Sequence, residues 1–336
     1  MSLTFNRYNS LIPLEKEKFI HSVKTQGLHT GEWVATEKIH GCNFSFHTDG
    51  DISRKAIRSK FIGDGGFKGS LQVEYMVPDV FNVYSRLEDS GILENGDTMS
   101  IYGELFGGMF FGTKSEGAKN VQGGMDYHPD TKFMACDIVI FPDDGEESSY
   151  TLSYTEMLEA LDGLIPAVPE LARGTFDEIS SLNPEFPSKV PEYYGLTIPE
   201  GKSPANEGFV MRPVDGEKYK GDNRCIFKKR NAKFSETSKV SKKPKDANQI
   251  PEVHKELYEE LSSYINLNRL ESVTSKLEEL TWPMFGKISG LLLQDAKSDY
   301  EFENTIEAES WTAIRKPLAK LCESIVREYL TANVEI

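Results

Sequence analysis

The apolar pattern of this chain changes once along its length, and that change constrains the fold more than any other feature. Before residue 236, short strand patterns bounded by turn residues recur, at Glu32 to Phe46, Thr98 to Gly108, Phe133 to Phe141 and Asn206 to Pro213. From Pro251 onward the spacing is helical only. Val253, Leu257, Leu261 and Ile265 form one stripe and Leu270, Val273, Leu277 and Leu280 a second, with others near Phe285 to Leu293 and Ile314 to Leu330. Sheet first and helices afterwards make an α+β chain. The expected domains are an antiparallel-sheet domain flanked by helices at 1–238, a basic linker at 239–250 and a small all-α domain at 251–336. With 336 residues the chain can build both cores.

Several helices are expected inside the sheet domain. Leu14, Phe19, Ile20 and Val23 mark a surface helix over 14–26 that stops at Gly27. A stripe from Val73 to Leu87 marks a second, which Pro78 is expected to break or kink. The capping boxes Ser153-x-x-Glu156 and Thr175-x-x-Glu178 open two more, over 151–164 and 175–182. Gly63, Gly65, Gly66 and Gly69 lack the Gly-Lys-Ser/Thr ending of a phosphate loop and read as a flexible connection. Residues 107–130, rich in glycine and polar side chains, read as a mobile loop.

The formal charge of −15 argues against nucleic-acid binding through the whole surface, so any such partner must meet a local basic patch. One exists: residues 224–245 hold nine Lys or Arg against one Glu. Lys239 to Lys245 can be a solvated linker or part of that surface. The helical domain holds 16 acidic and 9 basic residues, which restricts nucleic-acid contacts there to chosen cations such as Arg269, Lys276 or Lys287. No apolar run approaches the roughly 20 residues that span a bilayer, and the N-terminus has no signal-peptide core. A cytoplasmic monomer without a membrane partner is expected. Cys42, Cys136, Cys225 and Cys322 form no Cys-x-x-Cys pair, and the six histidines show no ligand spacing with them, so no zinc site is indicated.

The chemistry concentrates at Lys38. It stands at the mouth of the strand Trp33 to Glu37, before the turn glycine Gly41 and a second strand. Apolar walls and neighbouring cations at such a place favour a neutral, nucleophilic amine. The stretch by itself allows two readings, a covalent nucleophile or a solvated hairpin lysine. In the second strand Phe44 and Phe46 point one way and Asn43, Ser45 and His47 the other, which gives the Lys38 side a polar floor. Glu104 and Asp137 are single acids on otherwise apolar strands, costly to bury without a partner. Lys228, if it faces inward, offers a cation to a phosphate.

Taken in order, Lys38-Ile39-His40-Gly41, Arg58, Tyr102-Gly103-Glu104, Cys136-Asp137-Ile138, Glu207 to Arg212 and Phe227 to Arg230 resemble the collinear motifs of the covalent nucleotidyltransferases, the superfamily of ligases and mRNA-capping enzymes. Glu37 to Phe44, Lys233 to Glu236, Asn268 to Leu270 and Phe285 to Leu291 look specifically like phage-type RNA ligase 2. The resemblance covers essentially the whole chain. It implies an N-terminal nucleotidyltransferase (adenylyltransferase) domain with a helical domain that grips nicked duplex. It also implies ATP and Mg2+ as cofactors, and an RNA ligase that joins 3′-hydroxyl and 5′-phosphate ends in nicked double-stranded RNA or RNA–DNA hybrid through lysyl-AMP and RNA-adenylate. A phage-encoded member would work in the cytoplasm of an infected host cell.

Carried over by position, the resemblance makes Lys38 the nucleophile, with Arg58, Glu207 and Lys228 beside it in catalysis. Glu37, Ile39, Asn43, Glu104, Cys136, Asp137, Arg212, Lys228 and Arg230 would bind nucleotide, and Glu207 would orient the metal. Four positions depart from the pattern. Cys136 stands where an aromatic usually stacks on adenine, Arg212 and Arg230 replace lysines, and Cys42 replaces a small hydroxyl residue near the RNA end. The alternatives are a DNA nick ligase, a GTP-dependent capping enzyme, or an inactive nucleic-acid end-binding protein. The helical tail speaks against capping.

Overall fold

The computed structural model describes residues 3–143, 149–215, 225–235, 250–277, 280–302 and 304–334. The turn expected at Asp215-Gly216 reaches residues outside these, as do Arg224, Glu236 and the basic stretch Lys239 to Lys245. The chain separates into two compact units, Met1–Asn231 and Ala232–Ile336.

The first unit is built on eleven strands among the described residues: β1 (Ile12–Pro13), β2 (Trp33–Glu37), β3 (Cys42–Thr48), β4 (Ser53–Ile57), β5 (Lys60–Phe61), β6 (Thr98–Met109), β7 (His128–Phe141), β8 (Tyr150–Thr151), β9 (Glu170–Gly174), β10 (Gly208–Pro213) and β11 (Phe227–Arg230). They form a five-stranded sheet, β1-β11-β10-β2-β9, and a six-stranded sheet, β5-β4-β3-β6-β7-β8. All pairings are antiparallel except that of β1 with β11. The five helices are α1 (Glu17–Thr25), α2 (Val77–Asp89), α3 (Tyr154–Leu161), α4 (Phe176–Ser180) and α5 (Val190–Tyr193).

Alternation decides which face each sheet buries. In the five-stranded sheet Trp33, Ala35, Phe209, Met211 and Phe227 point to one side, where Phe19, Ile20 and Val23 of α1 and Phe176 and Ile179 of α4 cover them. In the six-stranded sheet Phe44, Phe46, Ile101, Leu105 and Ile138 point to a core closed by Val80, Val83 and Leu87 of α2 and by Met157 and Leu161 of α3. Helices thus take one face of each sheet. The other faces carry the polar residues of the site.

The sequence expectations meet different outcomes. Pro78 marks a break and not a kink, because the stripe divides into a 3-10 turn, Ser70–Met76, and α2, which starts at Val77. Proline in a first turn gives up an N–H that has no helical partner in any case. Residues 107–130 are ordered by packing: β6 continues to Met109, and Phe110, Ala118, Val121, Met125 and Tyr127 are all buried. Both capping boxes form as expected, around the shorter helices α3 and α4.

The second unit contains α6 (Lys255–Ser263), α7 (Leu267–Thr274), α8 (Phe285–Glu301) and α9 (Ala308–Asn333). Leu261, Leu270, Ile288, Leu292, Ile314, Leu318, Val326 and Leu330 form its core. Asn266 caps α7 by accepting the Arg269 N–H at 3.0 Å. Arg269 is 1% exposed and donates to Asp295 at 2.7 Å and Asp299 at 2.6 Å, two carboxylates one helical turn apart on α8. Among the described residues no helix is long and apolar enough to cross a membrane.

Candidate active site

Lys38 follows β2 directly and stays in register with its neighbour, since its N–H donates to the Gly208 carbonyl at 2.9 Å. Two glycines permit the crossing. A Cβ on Gly41 would lie 2.1 Å from the Leu105 carbonyl, and Gly208 takes φ +142° where a Cβ would lie 2.0 Å from the Lys229 carbonyl. The chain can therefore step from one sheet to the other beside Lys38 without a side chain in the way.

Register places the cations. Thr36 faces Val210, Val210 faces Lys228, and Gly208 faces Arg230. Lys228 and Arg230 thus share the sheet face of Thr36 and Lys38. Lys229 takes the opposite face, where it donates to the Ser180 and Leu182 carbonyls at 3.0 Å each. Basic residues at 228 and 230 but not at 229 serve the site.

The centre of the site is Glu207, 5% exposed at the entry to β10. Its Oε1 is 2.6 Å from Lys38 Nζ and accepts from Arg230 Nε at 2.9 Å, while its Oε2 is 3.1 Å from His40 Nδ1. Beside a carboxylate, Nδ1 of His40 is the protonated ring nitrogen. Burial alone would raise the Glu207 carboxyl, but Lys38, His40 and Arg230 together hold it well below the usual range. It is an acceptor of hydrogen bonds and a poor proton acceptor.

Two other carboxylates behave in the opposite way. Glu104, opposite Asn43 in the β3–β6 register, accepts the Gly41 N–H at 3.0 Å. Burial pushes it up to about 8 against the pull of Lys38. Glu37, 1% exposed, is pushed by burial to about 7 despite hydrogen bonds from Ser188 and from the Lys189 N–H, the latter at 2.7 Å. Its Oε1 has no hydrogen-bond partner among the described residues. A buried acceptor left open in this way is a binding position for a donor such as an exocyclic amine.

The raised Glu37 carries a stability prediction. From its ordinary 4.5 up to about 7 the folded chain retains a proton that the unfolded chain releases. The group therefore stabilises the fold below pH 4.5, and that stabilisation, about 3 kcal/mol, is lost as pH rises through 7. Glu37→Gln removes the titration. Urea melts at pH 5 and pH 8 should differ less for the variant than for the parent chain; equal differences would place the Glu37 carboxyl at its ordinary value.

The remaining expected site residues fall in three groups. Ile39 is buried and Asn43 half-buried at the start of β3. Arg58, just after β4, donates to Ser10 Oγ at 2.6 Å and lies near enough to Glu104 to lower it. Asp137 and Arg212 form a buried ion pair at 2.8 Å between the two sheets, and Arg212 also donates to the Cys136 and Leu152 carbonyls. Two cations of β4 are occupied away from the site: Lys55 pairs with Glu74, and Arg54 stacks 3.8 Å over Phe61.

Sequence reading missed the N-terminal segment. Tyr8 donates to Asp137 Oδ2 at 2.8 Å and packs its ring 4.9 Å from that of Tyr102, whose own hydroxyl donates to the Asn6 carbonyl. Phe5 lies over His47 and Phe61. These residues cover the polar floor, so His47 and Ser45 are buried and hydrogen-bonded to each other at 2.9 Å. Burial drives His47 down to about 4, so it is neutral there. Tyr127, whose oxygen accepts the His40 N–H at 3.0 Å, was missed as well. Only an aromatic four residues before β1 or next to His128 could have signalled either, and neither spacing is distinctive.

A lysine, a histidine and an arginine gathered on one buried carboxylate make an arrangement suited to phosphate chemistry. The chain belongs to the RNA ligase family, whose model, described as RNA ligase, matches residues 31–230, while residues 247–324 match the model described as T4 RNA ligase 2 C-terminal. It is 27% identical over 256 residues to the mitochondrial RNA-editing ligase 1 of Trypanosoma brucei brucei, covering 67% of this chain and 54% of that one. With RNA-editing ligase 2 of the same organism it shares 26% over 217 residues, 57% of this chain and 51% of that one. The chain thus spans about half the length of these relatives. A Naegleria gruberi RNA ligase mutant solved with AMP and Mn aligns at a TM-score of 0.46 and 14% identity, over 69% of this chain and 58% of that one.

Proposed function

We propose that this chain is an ATP-dependent RNA ligase that seals 3′-hydroxyl and 5′-phosphate ends at nicks in duplex RNA or RNA–DNA hybrid. The observation that carries the reading is Lys38, in a chain of the RNA ligase family, held 2.6 Å from the buried Glu207 within a cluster of cations. In the first step Lys38 Nζ attacks the α-phosphorus of ATP, forming an N–P bond as the bond to pyrophosphate breaks. The RNA 5′-phosphate oxygen then takes the adenylyl group from the lysine. The 3′-hydroxyl finally attacks that 5′-phosphorus and AMP leaves.

The site residues supply what these steps need. Attack requires the lone pair of Lys38, so a proton must leave its amine. Of the two carboxylates whose charge is felt at Lys38, Glu104, raised by burial to about 8, is the more basic and would take that proton in its ionised form. Arg230, Lys228 and Arg58 would neutralise non-bridging oxygens as charge shifts to the leaving group. Glu37 and Asn43 would hold the base, with the open Oε1 of Glu37 accepting from the adenine amine.

Mg2+ fits as an ion held by the Glu207 carboxylate and by substrate oxygens, since the cations around Glu207 keep it ionised. When bound the ion would supply further charge neutralisation on phosphate. We place the protein in the cytoplasm, in keeping with four cysteines set far apart along the chain.

The test is sealing of a nick with ATP and Mg2+, read on a denaturing gel for duplex RNA, RNA–DNA hybrid and duplex DNA in parallel. Joining of the first two with ATP and not GTP is the expected result. Sealing of duplex DNA alone, or use of GTP alone, would overturn it.

A further inference from the structure

Lys68 lies outside every role assigned so far, and its geometry is unusual. It takes φ +42°, a left-handed conformation that a residue with a Cβ seldom adopts. Glycine would be comfortable there, and three of the five preceding residues and the one following are glycine. A lysine is kept in the one conformation that favours its removal, which points to its side chain.

That side chain is directed at the start of β3. Lys68 Nζ is 3.5 Å from Cys42 Sγ and 3.3 Å from the Val121 carbonyl. It has no carboxylate partner among the described residues, in contrast to Lys38 and Arg230, which both reach Glu207. An ammonium has three donors. Here one meets a carbonyl and another a thiol, which burial holds protonated by raising it to about 11; beyond these the charge meets the Phe67 ring at 5.7 Å and no carboxylate among the described residues. Cys42 is next to Gly41, whose N–H holds Glu104, and Glu104 feels Lys38. Through Cys42, Gly41 and Glu104 the ammonium thus neighbours the site of Lys38, on a half-buried side chain that an anion can reach.

We infer that Lys68 binds a phosphodiester of the nucleic acid beside the end being joined, an assignment that rests on the ligase reading above. A phosphate oxygen supplies the charged acceptor that the protein withholds. The contact is to backbone, so it strengthens binding without sequence preference.

The experiment compares the full chain with Lys68→Gly and Lys68→Arg for binding to a nicked RNA duplex in EDTA across a salt series. Lys68→Gly relieves the left-handed strain, so a loss is not a loss of folding. Removing one phosphate contact should make the slope of log K against log salt shallower by about 0.9. That corresponds to about eightfold weaker binding at 0.1 M salt, with Lys68→Arg close to the parent. The KM for ATP in self-adenylylation should not change. An unchanged salt slope overturns the proposal, as does a raised KM for ATP with nucleic-acid binding intact, which would give Lys68 to the triphosphate. A lowered melting temperature together with parallel losses in both assays also overturns it. A parent chain that never labels with AMP, yet binds the nick with the Lys68-dependent slope, would sink the ligase reading and leave the phosphate contact standing.

Discussion

Lys38→Ala and Lys38→Arg are both expected to take up no label from α-labelled ATP in the presence of Mg2+, a loss of about 10⁴-fold or more as for removal of any obligatory nucleophile. The two variants separate chemistry from folding. Lys38→Ala leaves Glu207 buried with His40 and Arg230 as its partners, whereas Lys38→Arg keeps a cation at the same carboxylate. A guanidinium has no lone pair to give at neutral pH. Lys38→Arg should therefore melt near the parent temperature and still be inert. Label in either variant would move the nucleophile elsewhere, with Lys228 on the same sheet face as the first candidate. Absence of label in the parent chain, after bound AMP has been stripped with pyrophosphate, would leave a nucleic-acid end-binding protein.

The largest expected effect on stability is at Arg212. Its guanidinium is 5% exposed and its partner Asp137 fully buried, so the pair spans the two sheets without solvent. Arg212→Ala removes the charged partner of the buried carboxylate, which keeps the Tyr8 hydroxyl, and releases the Cys136 and Leu152 carbonyls. Breaking such a pair from one side costs about 3–5 kcal/mol, or a melting temperature about 10 °C lower for a unit of this size. Arg212→Lys should fall between, because a point charge cannot reach three acceptors at once. Replacing both partners, as Asp137→Asn with Arg212→Met, should cost less than Arg212→Ala alone, since no unpaired charge is left inside. Denaturant melts of these three variants, and of Asp137→Asn and Arg212→Met alone, decide this. Additive losses would show that the two groups act separately.

Much of the architecture was legible before any coordinates. The period-two segments became β2, β3, β6, β7 and β10, the helical stripes became α6 to α9, and both capping boxes closed. Such features are local: a strand's alternation and a cap's two hydrogen bonds are complete within a few residues. The segment 107–130 was misread for the same reason. Its glycine content is local, but Val121 and Tyr127 are ordered by burial against distant parts of the sheet.

The composition of the site divides in the same way. The amino-acid sequence by itself determined the fold class, the lysine between two strands, and the family that its spaced motifs belong to, because these depend on residue type and order along the chain. Only the tertiary structure decided that Glu207 is the common partner of Lys38, His40 and Arg230. It also decided that Asp137 is matched by Arg212 and Tyr8 and that, among the described residues, Glu37 keeps one oxygen open and the Lys68 ammonium meets no carboxylate. The physical reason is that charge is sensed through space and through burial. Residues 38 and 207 or 8 and 137 carry no mark of each other until folding removes the water between them.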